Sequence, residues 1–151
     1  PMIKIKGLPS LPMPVIKAIV SMNTLFSSTS YAPGGLRDWT PTIREECDPE
    51  LFTGDKERGS VHNIWCEHDP ELQLGHITNG WLRHALKACS HVQNPKNLAA
   101  INTPSLFAIA GRDLIISNEA IRTATAKMPH KKILDLEDAH HEILMETDQV
   151  Q

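Results

Sequence analysis

Cysteine is scarce and odd in number. The chain has three (Cys47, Cys66 and Cys89) and no Cys-x-x-Cys, which leaves neither a disulfide framework nor a zinc-ribbon pattern and fits a reducing compartment. An excess of one charge is also missing. Fifteen Lys and Arg stand against 18 Asp and Glu, for a net charge of -3 with histidine neutral. This balance argues against a nucleic-acid or anionic-membrane partner held by bulk electrostatics. No apolar run approaches the roughly 18–20 residues that a membrane span needs. Pro14 and the Ser/Thr-rich stretch 27–30 interrupt the one N-terminal candidate for a signal peptide. There is no internal repeat and no low-complexity segment. A cytoplasmic location is the expectation. What remains is 151 residues, about one domain's worth of chain.

Local patterning divides the chain into two grammars. In the first part, Val15 to Phe26 carries apolar residues at helical spacing, and Tyr31-Ala32-Pro33-Gly34-Gly35 is a loop. Residues 37–54 are polar and read as irregular. Thr53 or Asp55 caps a helix to about His68, with Val61, Ile64 and Trp65 on one face; Asp69-Pro70 closes it or opens the next turn. Asn79 is the expected N-cap of a further helix, in which Trp81, Leu82, Ala85, Leu86 and Cys89 recur until His91. Trp65 and Trp81 are expected on core-facing sides of their helices. Asn94-Pro95-Lys96-Asn97 reads as a linker. The second grammar is strand 104–110, helix 117–127, strand 131–136 and a helix from 141 onward, the order of a parallel βαβ unit. The chain opens on Pro1-Met2 and closes on Val150-Gln151 inside an apparent helix, so it reads as a piece of a longer protein.

Two acidic and basic groups fall where such a unit concentrates its chemistry. Parallel sheets present functional groups at the carboxyl ends of their strands. Asp113 follows the first strand and His141 follows the second, 28 residues on, which is room for one crossover helix. A carboxylate there holds an imidazole in one tautomer, and the imidazole takes a proton from a hydroxyl and returns it to a leaving group. The alternative is that Gly111-Arg112-Asp113 starts a turn and His141 caps a helix.

The residues around both positions resemble the α/β-hydrolase superfamily. Thr103-Pro104-Ser105-Leu106-Phe107-Ala108-Ile109-Ala110-Gly111-Arg112-Asp113 looks like its acid-bearing strand and loop. Asp-Ala-His-His-Glu-Ile-Leu-Met-Glu (138–146) looks like the His loop of bacterial lysophospholipases and monoglyceride-lipase-like serine hydrolases. The resemblance makes Asp113 the triad acid and His141, directly before Glu142, the base; His140 falls at a variable position and is expected to be a bystander in the loop, the alternative being a second polar group at the site mouth. Tyr31–Gly35, Leu51–Arg58 and Leu74–Leu82 resemble pieces of the family's cap, and Pro1-Met2 the exit of the strand before it. The implied fold class is α/β: the C-terminal part of an α/β-hydrolase, with a helical cap over 1–97 and a βαβα unit of a mainly parallel sheet over 98–151.

The family's nucleophile sits on a Gly-x-Ser-x-Gly elbow, and no Ser in this chain has Gly two residues before and two after. The resemblance places nucleophile and oxyanion hole upstream of Pro1, so the chain alone is expected to be inactive. The implied reaction is hydrolysis of a carboxylic ester, of a lysophospholipid or a monoglyceride, with no metal or organic cofactor. The implied partner is that lipid ester, with peripheral contact to the inner membrane compatible but not demanded by the charge pattern. Apolar residues of helix 15–26 are candidates to line an acyl channel. The competing readings are a non-catalytic α/β-hydrolase-like interaction module and a His-rich metal protein using His62, Cys66, His68 and His76, whose spacing fits no compact site. Cys89 and His91, two apart on a helix, point away from one another, and Cys89 reads as core. The charges of Glu45-Glu46 and Asp55–Arg58 read as solvated surface.

Overall fold

A computed structural model of the chain describes residues 11–33, 38–41 and 51–150. Expectations for Pro1-Met2, Gly34-Gly35, Glu45-Glu46, Cys47 and Gln151 lie outside these residues. The first helix, α1, spans Met13–Phe26 and starts two residues earlier than its apolar pattern suggests, because Pro14 falls in the first turn, where the missing N–H costs nothing. Ile16 and Val20, one turn apart, bury against Leu86 of α3 (Asn79–Val92), with Met13 and Leu82 alongside. The N-cap of α3 is Thr78 rather than Asn79: the Thr78 hydroxyl accepts the Trp81 amide at 3.2 Å, and Asn79 is already helical and buried.

Helix α2 (Lys56–His68) begins at Asp55, whose carboxylate accepts the amides of Glu57 and Arg58 at 3.0 Å each. Its buried residue is Cys66, while Ile64 and Trp65 face outward, Trp65 at 58% exposure. Trp81 is exposed as well. The core-facing assignment of both tryptophans is thus corrected; on α2 the polar and apolar residues alternate too evenly for one stripe to dominate. Asp69 both closes α2, through its amide to Trp65 O, and opens a 3₁₀ turn over Pro70–Leu72, through its carboxylate to the Glu71 amide.

The segment read as a linker forms a short helix, α4 (Pro95–Ala99). Asn94 caps it through the Lys96 amide, and Pro95 takes the first turn; Asn-Pro is a turn signal and a helix start alike. Leu98 of α4 joins the main core.

The strands β1 (Ser105–Ala110) and β2 (Lys131–Leu136) pair in parallel, Ser105 opposite Lys131 through Ala110 opposite Leu136. Helix α5 (Asn118–Thr125) makes the crossover and is capped by Ser117. It covers one face of the sheet: Ile109, Ile121, Ala124, Met128 and Leu98 form the core, flanked by Phe107 and Ile133. Leu106 and Leu134, which alternate with them, lie on the other face and are exposed. The helix expected from residue 141 is instead a single 3₁₀ turn over Ile143–Met145, since the backbone there bonds to the entrance of α2 rather than to itself. Among the described residues no helix is long and apolar enough to cross a membrane.

Candidate active site

The carboxyl ends of β1 and β2 are stitched together before Asp113 or His141 is reached. The ladder continues one residue past β1, with the Gly111 amide on Leu136 O at 2.8 Å, and the Arg112 amide then bonds Ala139 O at 2.9 Å. Only glycine fits this approach, because a Cβ on residue 111 would lie 2.1 Å from the Glu137 carbonyl oxygen. Asn118 adds a bond from its side-chain amide to Ala110 O at 2.7 Å. An exposed Arg112–Asp138 pair at 2.6 Å bridges the two loops and contributes little by itself.

This frame brings Asp113 and His141 together. His141 Nδ1 lies 2.9 Å from Asp113 Oδ2. The other carboxylate oxygen, Oδ1, accepts the amides of Ile115 and Ile116, both at 2.8 Å, which fixes the plane of the carboxylate. Asp113 is 7% exposed. Burial alone pushes its pKa up, but the Ile116 amide, the His141 ring and the Ile115 amide outweigh that and hold it below the ordinary carboxylate value. The His141 side chain keeps 27% of its surface accessible. With Nδ1–H donated to Asp113, a neutral ring carries its lone pair on Nε2, the atom that can accept a proton.

His140, expected to be a bystander, is no surface residue. It is buried, and both its amide and its Nδ1 lie 2.7 Å from Oε1 of Glu146, itself 1% exposed. The Gly54 amide donates to the same carboxylate, at 3.2 Å to Oε1 and 3.1 Å to Oε2. Burial raises the Glu146 pKa, yet the His140 amide and ring and the Gly54 amide together leave it lowered. The only advance signal was a Glu five residues beyond His141. Arg58, read as surface charge, donates to the carbonyl of Glu146 and to Asp148, and Asp55 is a helix cap.

The other candidate groups do not gather. His62 Nε2 and Cys66 Sγ are 3.5 Å apart, and His68 Nδ1 turns back onto its own helix at Ile64 O. Among the described residues no three His, Cys, Asp or Glu side chains converge as a metal site requires. Burial pushes the Cys89 thiol up, away from a reactive thiolate. Beside the His loop, His62, Trp65, Glu142, Ile143, Leu144 and Met145 line a cleft of about 340 Å³.

A family model described as "Serine aminopeptidase, S33" (Hydrolase_4) matches residues 1–148. The chain belongs to the S33 hydrolase family. Among solved structures, this S33 chain is similar to a soluble variant of monoglyceride lipase from Saccharomyces cerevisiae in complex with a substrate analog, with a TM-score of 0.65 and 16% identity. The likeness covers 99% of this chain and 46% of that one, so the chain spans less than half the length of that lipase. At this identity the likeness speaks for the fold, an α/β-hydrolase fold with its parallel sheet. Comparison with curated proteins gives no match.

Proposed function

We propose that this chain supplies the acid and base of a serine hydrolase acting on carboxylic esters, of the lysophospholipid or monoglyceride class. The observation that carries the reading is the 2.9 Å contact between His141 Nδ1 and a buried Asp113 whose second oxygen is pinned by two backbone amides. Asp113 sets the tautomer of His141 and stabilises its protonated form. His141 Nε2 takes the proton of a serine hydroxyl as that oxygen attacks the ester carbonyl, then delivers it to the departing alcohol oxygen. Water repeats the cycle on the acyl-enzyme. The serine comes from a segment before Pro1, on the Gly-x-Ser-x-Gly elbow that these 151 residues do not contain. Residues 1–97 act as a cap over residues 98–151. The cleft between α2 and the His loop, with Trp65, Ile143, Leu144 and Met145, gives an acyl chain apolar contact. The exposed sheet face at Leu106 and Leu134 supports a larger sheet and further covering layers in the whole protein.

The test is covalent labelling of the full-length protein by a fluorophosphonate serine probe. We expect rapid labelling that His141→Ala and Asp113→Asn each suppress, with Asp113→Asn lowering ester turnover by about 10⁴-fold, as loss of the correct tautomer does in such triads. A folded full-length protein that takes no label overturns the reading in favour of a non-catalytic interaction module. Labelling accompanied by turnover of aminoacyl amides and not of lipid esters keeps the machinery and replaces the substrate class.

A further inference from the structure

Consecutive histidines in the His loop face two different carboxylates. His141 bonds Asp113 on the β1 side, and His140 bonds Glu146, which reaches across to the entrance of α2. Before His141 the Arg112 amide holds Ala139 O, and from His140 onward the loop is bonded to that entrance. The Glu142 amide donates to Phe52 O at 2.7 Å, the Thr53 hydroxyl donates to Met145 O at 2.7 Å, the Gly54 amide donates to the Glu146 carboxylate, and Arg58 donates to Glu146 O. Residues 52–58 thus fasten residues 140–146, and the Glu146 carboxylate binds both segments at once, taking the Gly54 amide from one and the His140 amide and ring from the other. It is nearly solvent-free, so its bonds are not screened, and an oxygen that accepts an amide and an imidazole at 2.7 Å fixes the backbone immediately before His141 as well as a side chain.

We infer that Glu146, acting through His140 and Gly54, is a positioning residue for His141: it locks the base loop onto the start of α2 and so lets the cap-side helix set where the imidazole sits. This rests on the proposed role of His141 as base, but the placement it describes does not. The carboxyl group touches no reacting atom. Its effect is geometric, and displacing a catalytic group by about 1 Å costs about 10²-fold in rate.

Two readouts on the full-length protein separate the inference from the function it serves. The first is the low-field proton of His141 Nδ1–H on Asp113, observed by proton NMR of histidine-labelled protein and assigned by its loss in His141→Asn. The second is steady-state ester hydrolysis. In Glu146→Ala that still folds, we expect the low-field proton to broaden or vanish and kcat to fall about 10–100-fold while KM stays within about threefold. Glu146→Gln keeps the shape and one acceptor oxygen and should recover the resonance and most of kcat. Should Glu146→Ala fail to fold, Thr53→Val takes its place, since it removes the hydroxyl tie to Met145 O without touching the buried charge. A kcat loss of at least about threefold at unchanged KM is then expected, with a shifted His141 resonance. A folded Glu146→Ala or Thr53→Val with the wild-type resonance and wild-type kcat overturns the inference. If the resonance responds but the wild-type protein has no hydrolase activity, the positioning holds and the catalytic reading fails.

Discussion

Asp113 and Glu146 are carboxylates that burial would keep protonated, and backbone amides with a histidine apiece hold both ionised. Because both folded pKa values lie below the ordinary ones of 3.8 and 4.5, the unfolded chain binds more protons in the window below pH about 5. Their contribution to stability is therefore complete above that window and is lost as pH falls through the depressed folded values. Urea denaturation of the full-length protein at pH 6 and pH 3 should show a stability loss that is smaller in the Asp113→Asn, Glu146→Gln double variant than in wild type. Equal losses would discard this account. At this scale the sequence told part of the story. Asp113 was legible because it directly follows a strand, but His140 was not. Two adjacent histidines look equivalent on paper, and which one meets which carboxylate depends on how the loop turns between β2 and the entrance of α2.

Elements were legible where the pattern is long and ambiguous where one residue carries two meanings. The ends of β2 match the apolar run that bounds it, since neither flank can extend a strand. Asn94-Pro95 reads as a loop because Pro ends helices, yet it starts α4, and only the burial of Leu98 in the core decides between the two. At Thr78-Asn79 both side chains are good caps; the hydroxyl of Thr78 takes the Trp81 amide, while Asn79 turns inward toward Ser27 O and Tyr31 O at 3.5 Å each. Thr78→Ala should then cost about 1 kcal/mol, the ordinary loss for a helix cap. A denaturation midpoint indistinguishable from wild type would return the cap to Asn79. The tail after His141 shows the opposite limit. Its apolar residues suit a helix, but tertiary bonds to Phe52 and Thr53 satisfy its backbone first.

For the whole molecule the main fact is a sheet with one dressed face. Among the described residues two strands pair, α5 covers Ile109 and Phe107, and Leu106 (63% exposed) and Leu134 look outward. Leu25 and Phe26 at the end of α1 are exposed as well. Open strand edges and apolar faces associate. A polypeptide of residues 1–151 by itself should therefore form concentration-dependent oligomers or aggregates, seen by light scattering at micromolar concentrations. A sharp, reversible unfolding transition of a monomer would refute this. By itself the sequence determined the strand–helix–strand order and the places of Asp113 and His141 at strand ends, because apolar periodicity and turn chemistry are local properties. It determined the hydrolase resemblance too, which rests on short contiguous motifs. The tertiary structure alone decided that Asp113 and His141 touch, that His140 is buried on Glu146, and that the entrance of α2 grips the His loop. Those contacts join residues up to 92 positions apart, and no local preference encodes a distance across the fold.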